Sequence, residues 1–225
     1  LEFFENHNIT GIARTGFCRL DSRVDELKVN RISLEGSSPH FIGCWNIEQG
    51  ALCDEVIDFF EANQQKQEQG KSAGAVDHSA KKSMDIAIHP RDLDQSEYKA
   101  LKEYVDCLFL CYKDYIEQFP FLGSIMPSTF IGSFNVQKYL PGGHFKLPHT
   151  ERTSIQNSFR VLAWMSYLND VEDGGTTTFT HQGVEVKPQR GKTLIWPAEW
   201  THAHLGNIVN SGNKYIVTGW MHFPH

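Results

Sequence analysis

After Phe119 the sequence consists of short runs rich in β-branched and aromatic residues, with no helical pattern between them. The runs are TFIGSFNVQKYL, FRVLAWMSYL, TTTFTH, KTLIWP and KYIVTGWMHF. Turn-forming clusters, PGG, NDVEDGG, HQG and NSGN, separate them. Strands this short and this closely spaced favour antiparallel sheets that close into a sandwich or jelly roll. Residues 129–225 are therefore predicted to form a mainly β core.

Two amphipathic helices are predicted in the first half of the chain. Residues 52–64 and 95–117 carry apolar side chains at helical spacing, and prolines flank the second segment. The stretch between them, 65–82, is polar and contains two glycines, so it is read as a solvated loop, with a lid as the alternative. We expect a single domain over 1–225, in which residues 1–128 form a helical and β support for one face of the core.

Composition limits the classes of partner. With 40% hydrophobic, 21% charged and 12% aromatic residues the chain is typical of globular proteins. A formal net charge of −6 provides no basic surface for neutralising phosphates, so no nucleic-acid partner is expected. The opening LEFFENHNIT lacks the pattern of a secretory signal, and no stretch approaches the ~20 apolar residues of a membrane span. We therefore expect a cytoplasmic protein with no membrane partner.

Cysteine spacing agrees with that compartment. The chain has five cysteines, an odd number, and no two of them have the CxxC spacing. Free and largely buried thiols in a reducing environment are the simplest prediction. The five residues are Cys18, Cys44, Cys53, Cys107 and Cys111.

Metal-ligating side chains are concentrated in the β half. In the sequence His149-Thr150-Glu151 a histidine and a carboxylate share one face of an extended strand, and His202 and His204 have the same spacing far downstream. Two histidines and one carboxylate form the facial site of non-haem Fe(II) oxygenases, and three-ligand zinc sites use the same residue types. Spacing alone leaves both metals, and both downstream histidines, open. The other candidates are His144, His181, His222 and His225.

Three longer stretches give a more specific indication. YLPGGHF with HTE, then RVLAWMSYLNDVEDGGTTTF, then PQRGKTLIWPAEWTHAHLGNIVNSGNKYIVTGW resemble the catalytic core of the 2-oxoglutarate and Fe(II)-dependent dioxygenases, in particular the prolyl 4-hydroxylase-like group. The resemblance covers about 130–223. It implies a double-stranded β-helix, or jelly roll, with N-terminal supporting α-helices. It also implies Fe(II), 2-oxoglutarate as cosubstrate, and O2, with ascorbate as a candidate further cofactor.

The resemblance assigns metal ligands residue by residue. The HxD motif of the family corresponds here to His149 and Glu151, so that a glutamate stands where the family mostly has aspartate. In the family the distal histidine is followed by a glycine and, ten positions on, by a basic residue. His204, Gly206 and Lys214 fit this pattern. The implied ligands are therefore His149, Glu151 and His204, and Lys214 is expected to pair with the distal carboxylate of 2-oxoglutarate.

Four further residues match family positions. Tyr139 and Thr177 correspond to hydroxyl donors to the same carboxylate, whereas Arg160 and Trp220 correspond to positions on the substrate side. Each also has an ordinary structural interpretation, as a strand residue, an ion-pair partner or a core aromatic. The neighbouring Gly174-Gly175 is expected to serve a turn that needs positive φ and to have no catalytic part.

The implied activity is hydroxylation of a substrate C–H bond with release of succinate and CO2. The nearest group suggests a prolyl residue in a peptide, although free amino acids and other small molecules are also substrates of this framework. Residues 65–82 and 152–158 are expected to select the substrate. One alternative is a cupin-like enzyme that uses His149, His202 and His204 without 2-oxoglutarate. Another is a catalytically inactive, metal-binding jelly roll.

Overall fold

The computed structural model describes residues 12–14, as backbone alone, together with 28–34 and 40–223. Cys18 and His225 lie outside the described residues. The helices are α1 (Gly50–Ala62), α2 (Lys99–Gln118) and α3 (Pro120–Ile125). The strands are β1 (Ile12–Arg14), β2 (Val29–Arg31), β3 (Gly43–Ile47), β4 (Glu68–Gln69), β5 (Lys81–Lys82), β6 (Met84–Ile88), β7 (Thr129–Ile131), β8 (Phe134–Tyr139), β9 (His144–His149), β10 (Arg160–Tyr167), β11 (Thr177–Phe179), β12 (Val184–Val186), β13 (Lys192–Pro197), β14 (His204–Gly206) and β15 (Lys214–His222).

The strands form two antiparallel sheets. The larger sheet has the order β2-β3-β13-β10-β15-β8-β6-β4, with β7 pairing both β15 and β1. The smaller sheet has the order β12-β11-β14-β9-β5. A buried apolar cluster that draws on both sheets, including Tyr139 and Met165 from one and Phe179 and Val186 from the other, fills the space between them. The predicted mainly β jelly roll is confirmed.

Strand β10 shows how the sequence places two cores on one sheet. Its side chains alternate with a period of two, as strand geometry requires. Ala163 and Met165 belong to the cluster between the sheets. Leu162 and Trp164 belong to a second cluster, on the helical side. Because both faces of β10 are covered, this run is almost entirely apolar.

Helix α2 covers the outer face of the larger sheet. Its apolar stripe is buried together with Trp164 and Ile195, and the Tyr104 hydroxyl lies 2.7 Å from Ser166 Oγ on β10. The two helices therefore support one face of the core, as predicted. The stripe consists of Leu101, Tyr104, Leu108, Tyr112 and Tyr115. Helix α2 begins at Lys99 and not at residue 95, because 3-10 turns at Pro90–Asp94 and Ser96–Tyr98 come first.

The predicted solvated loop at 65–82 is wrong at its two ends. Strand β4 pairs with β6 at the edge of the larger sheet, and β5 pairs with β9 at the edge of the smaller one. Each strand has only two residues, too short for a visible alternation. The division at residue 128 stays a prediction, and β3 and β6 from the first part are strands of the larger sheet.

The prediction of free and buried thiols is met in the described residues. Four cysteines are free and buried there, and burial raises the pKa of their thiols. They are Cys44, Cys53, Cys107 and Cys111. Within the same residues, no helix is both long enough and apolar enough to span a membrane.

Candidate metal and cosubstrate site

The three predicted metal ligands lie together at one end of the β9–β14 pair of the smaller sheet. His149 ends β9 and His204 begins β14, and the two residues are directly opposite each other across this antiparallel pair. Glu151 follows β9. One ligand atom from each residue lies within 4.8 Å of the others. Among the described residues, these three side chains form the one cluster that could hold a metal ion. Glu151 Oε1 is 3.4 Å from His204 Nε2 and 3.7 Å from His149 Nε2.

Backbone carbonyls orient both imidazoles. His149 Nδ1 lies 2.9 Å from the carbonyl oxygen of Leu147, and His204 Nδ1 lies 2.9 Å from that of His202. A carbonyl oxygen can only accept, so in the neutral ring Nδ1 carries the proton in each case. The lone pair is then on Nε2, which faces Glu151. Metal-ligating histidines are commonly held in this way through the nitrogen that does not bind the metal.

Aromatic rings fix the ligand rings from outside. Phe145 stacks on His149 with ring centroids 3.7 Å apart, and Trp196 meets His204 edge-on at 5.0 Å. Burial, with the nearby His204, lowers the pKa of His149 to about 4. His149 is therefore neutral at pH 7 and able to bind a cation.

The two carboxylate oxygens of Glu151 have different partners. Oε1 faces the histidines, whereas Oε2 accepts a 2.7 Å hydrogen bond from Trp220 Nε1. Arg160 Nη1 lies 3.8 Å from Oε2 and donates to the Glu151 carbonyl oxygen at 3.0 Å. Burial raises the carboxyl pKa of Glu151, but its contacts with His204, with smaller effects from His149 and Trp220, outweigh burial and lower the pKa to about 2. Glu151 is an anion at every physiological pH.

This donor set fits Fe(II). Two imidazole nitrogens and one carboxylate oxygen lie within 4.8 Å of one another, and these are the ligand types of the metal site in non-haem iron oxygenases. The extra methylene of Glu151, relative to aspartate, is absorbed because Oε1 still reaches both histidines. His202 is not part of the set: its Nε2 contacts the His40 carbonyl oxygen at 2.9 Å and its Nδ1 contacts Thr201 Oγ1 at 3.0 Å.

Lys214 is a buried cation in the same cavity. Only 2% of its surface is exposed, and its ammonium donates to the Gly175 carbonyl oxygen at 2.9 Å. It forms no ion pair within the part of the chain that the structure describes, and burial lowers its pKa to about 7. An unpaired buried ammonium favours an anionic ligand. Gly174 and Gly175 adopt φ of 79° and 67°, the turn conformation predicted for them.

The two predicted hydroxyl donors also line this cavity. Tyr139 is directly opposite Lys214 on the adjacent strand, and its hydroxyl donates to Gln137 Oε1 at 2.7 Å. Thr177 Oγ1 accepts a 2.6 Å hydrogen bond from the buried Tyr167 hydroxyl. Because Tyr167 donates in that pair, the Thr177 proton is available to a ligand in the cavity.

Sequence reasoning missed a polar network in the same cavity. Lys81 is almost fully buried and pairs with Asp85 Oδ2 at 2.6 Å. Gln137 Nε2 donates to the same oxygen at 3.2 Å, and Ser83 Oγ donates to Oδ1 at 2.7 Å. Gln137 lies two residues before Tyr139 on one face of β8, so strand alternation could have indicated it. Lys81 and Asp85 fall in a region that carries no motif.

The cavity has a volume of about 790 Å³. It is lined by all eight predicted site residues, His149, Glu151, His204, Lys214, Tyr139, Thr177, Arg160 and Trp220. The lining also includes Lys66, Ser72 and Thr153, from the two segments predicted to select substrate. The structure thus brings the predicted residues together, and their individual roles stay predictions.

The remaining histidine candidates lie apart from the cluster. His144 is buried beside Lys82 on the β9–β5 pair, His181 contacts the Trp200 ring, and His222 packs against Phe159.

Residues 134–222, which include β8 to β15, match the 2OG-Fe(II) oxygenase superfamily. This match and the relatives that follow confirm the predicted likeness to 2-oxoglutarate and Fe(II)-dependent oxygenases of the prolyl 4-hydroxylase-like group. The probable prolyl 4-hydroxylase 9 of Arabidopsis thaliana is 25% identical over 134 residues, 48% of this chain and 46% of the relative. The prolyl 4-hydroxylase subunit alpha-1 of Gallus gallus is 30% identical over 103 residues, 39% of this chain and 20% of the relative. The chain thus spans less than half the length of these relatives.

Solved structures share the fold at low sequence identity. A prolyl-4-hydroxylase from Pseudomonas putida aligns with a TM-score of 0.62 and 16% identity over 84% of this chain and 95% of its own. A prolyl hydroxylase from Trichoplax adhaerens, solved with a peptide fragment of the hypoxia inducible factor oxygen degradation domain, aligns with a TM-score of 0.62 and 13% identity over 82% and 84%.

Proposed function

We propose that this protein is an Fe(II)- and 2-oxoglutarate-dependent dioxygenase that hydroxylates a C–H bond of its substrate and releases succinate and CO2. One observation carries the proposal. The cavity that contains the cluster of His149, Glu151 and His204 also contains the buried ammonium of Lys214, which has no ion-pair partner among the described residues. A metal site alone does not need a buried lysine, whereas a chelating dicarboxylate needs both a metal and a distant cation.

The side chains have separable tasks. His149, Glu151 and His204 would hold Fe(II), and Lys214 and Thr177 would bind the far carboxylate of 2-oxoglutarate. Bound iron would supply the oxygen activation that couples cosubstrate decarboxylation to substrate oxidation. The aromatic rings of Phe145 and Trp196 pack on the two histidines and cover that side of the site.

A prolyl residue in a peptide is the substrate that we favour. The relatives and neighbours described above carry prolyl hydroxylase names, and one was solved with a peptide. The cavity, at about 790 Å³, offers space beyond a five-carbon cosubstrate, and its lining includes segments from both halves of the chain. Peptides with a central proline, free proline and unrelated amino acids should be compared by mass spectrometry for the gain of one oxygen atom.

The decisive experiment separates binding from turnover. Fe(II) and 2-oxoglutarate are added anaerobically, the visible metal-to-ligand charge-transfer band is recorded, and oxygen is then admitted and succinate assayed, with and without ascorbate. We expect a band in the wild type and its loss in Lys214→Met. Lys192→Met is the matched control, because Lys192 is also buried on a strand but does not line the cavity. Absence of the band in the wild type, or an undiminished band in Lys214→Met, would refute the proposal.

The same experiment tests the alternatives. A cupin-like enzyme without 2-oxoglutarate predicts full activity in Lys214→Met, and the structure gives it no three-histidine cluster among the described residues, since His202 bonds elsewhere. An inactive jelly roll predicts metal binding without succinate, even when peptide substrates are supplied.

A further inference from the structure

Trp220, which was predicted to lie on the substrate side, makes a hydrogen bond to the metal ligand Glu151. Its indole N–H donates at 2.7 Å to Glu151 Oε2, the carboxylate oxygen that faces away from both histidines. This contact joins residues 69 positions apart, from β15 in the larger sheet to the end of β9 in the smaller sheet. Glu151 is therefore held from across the cavity and not only by its own strand.

Arg160 reinforces the arrangement. Its guanidinium lies over the Trp220 ring at 3.5 Å, and its Nη1 donates to the Glu151 carbonyl oxygen. Stacking of this kind fixes the plane of the indole. The ring, the guanidinium and the carboxylate thus form one packed unit, in which Oε2 is occupied and Oε1 alone is directed to the histidines.

We infer that Trp220 is a positioning residue for the metal ligand Glu151: its N–H occupies Oε2, so that Glu151 binds a divalent cation through Oε1 alone. A glutamate has one more rotatable bond than an aspartate at the same place, so its carboxylate can turn or bind through both oxygens. The Trp220 hydrogen bond removes that freedom. This inference uses the metal site of the proposed function but not its cosubstrate, substrate or activity.

The test measures metal affinity with Co(II) alone, by visible absorption titration of the protein without 2-oxoglutarate. Trp220→Phe keeps an aromatic ring beneath Arg160 and removes the N–H. We expect its affinity for Co(II) to fall by about 10- to 100-fold, as for other outer partners of metal ligands. The d–d absorption bands should also change in shape, because the second carboxylate oxygen becomes free to bind.

Trp164→Phe is the matched control. Trp164 is a buried tryptophan on β10 of the larger sheet that does not line the cavity, and its indole nitrogen has no hydrogen-bond partner among the described residues. The same ring-for-ring change there should reduce Co(II) affinity by less than about threefold and leave the band shape unchanged. Far-ultraviolet circular dichroism of both variants verifies that they fold.

A double-mutant cycle tests the mechanism. In Glu151→Asp the carboxylate withdraws by about 1.5 Å, one carbon–carbon bond, and loses Trp220 Nε1. Adding Trp220→Phe to the Glu151→Asp variant should then cost less than about twofold in affinity. Equal costs in both backgrounds, or wild-type affinity and spectrum in Trp220→Phe, would overturn the inference while the proposed function stands. Failure of the wild type to bind Co(II) would overturn both.

Discussion

Lys214 and Tyr139 are directly opposite each other on β15 and β8, and the Lys214 ammonium lies 4.6 Å from the centroid of the Tyr139 ring. The ring partly compensates a charge that has no anion beside it within 28–34 and 40–223, the residues whose side chains are described. Burial nevertheless lowers the pKa of Lys214 to about 7. The cation is therefore only partly populated at neutral pH until a ligand stabilises it.

Cosubstrate binding should consequently depend on pH. A bound dianion raises the pKa of Lys214, so that above about pH 7 binding takes up a proton and affinity falls by up to about tenfold per pH unit. His149, with a pKa of about 4, is already neutral in this range. Anaerobic titration of the Fe(II) protein with 2-oxoglutarate from about pH 6.5 to about pH 8.5 measures the slope. Lys214→Arg, which stays charged, should bind with little pH dependence, and an equal slope in both proteins would contradict this assignment.

Glu151 should tolerate shortening better than removal. Glu151→Ala deletes the only anionic ligand of the described cluster, so Co(II) or Fe(II) affinity should fall by at least about 100-fold. Glu151→Asp keeps the charge but loses the Trp220 hydrogen bond, so its affinity should fall by about 10-fold, the smaller end of the loss expected for Trp220→Phe. Equilibrium dialysis under anaerobic conditions checks both values. Equal losses of metal affinity in the two variants would contradict this prediction, because they would show that a carboxylate in the shorter position does not bind the metal.

Substitutions of His204 and His202 should have different effects, because His204 is the proposed metal ligand and His202 is a structural residue. His204→Ala should lower metal affinity by at least about 100-fold, because Nε2 faces Glu151. His202→Ala removes hydrogen bonds to His40 and Thr201 and should cost about 1–3 kcal/mol of stability while leaving metal affinity within about threefold. Metal titration and urea unfolding of both variants measure the two effects. Metal loss in His202→Ala without unfolding would reverse the assignment.

Thr177 should contribute one hydrogen bond to the cosubstrate. Because the Tyr167 hydroxyl donates to Thr177 Oγ1, the threonine proton is free to reach a carboxylate in the cavity. Thr177→Val keeps the shape and should weaken 2-oxoglutarate binding by about tenfold, a typical loss for one hydrogen bond to a charged group. Thr177→Ser should bind within about threefold of the wild type. An unchanged dissociation constant in the valine variant would remove Thr177 from the site.

The Lys81–Asp85 pair should matter for stability. Its side chains are only 5% and 14% exposed, so Lys81→Met leaves a largely buried carboxylate without its cation and should cost about 3 kcal/mol or more. Lys138→Met, which breaks the more exposed pair with Glu61, should cost less than about 1 kcal/mol. Urea denaturation compares the two variants. A cost below about 1 kcal/mol for Lys81→Met would show that the hydrogen bonds from Ser83 and Gln137 are enough to stabilise the buried Asp85 carboxylate.

Local patterns explain which parts of this architecture could be predicted. The alternation of β10 and the helical stripe of α2 are periodic over a whole element, so their buried faces follow from sequence. The prediction that His149 and Glu151 lie on the same side of the chain needs only the alternation of side chains along an extended strand. The choice of His204 over His202 rests on family spacing and stays a prediction. In the structure, hydrogen bonds occupy both ring nitrogens of His202.

Contacts between distant strands could not be predicted in the same way. The hydrogen bond from Gln137 to Asp85 depends on the register of β8 against β6, and that of Trp220 to Glu151 on the approach of the two sheets. Nothing in a local run of residues fixes register between strands that are far apart in sequence. The two-residue strands β4 and β5 were missed because the residues between 65 and 82 are polar, and the edge pairing there is made by backbone groups.

The pairing of His149 with His204 also has a consequence for the order of folding. These residues face each other across β9 and β14, although more than fifty residues separate them in the chain. Such a contact closes a long loop and belongs to the slow, non-local part of folding. A cation could therefore bind both imidazoles only after the smaller sheet has assembled, and once bound it would stabilise the folded state by mass action.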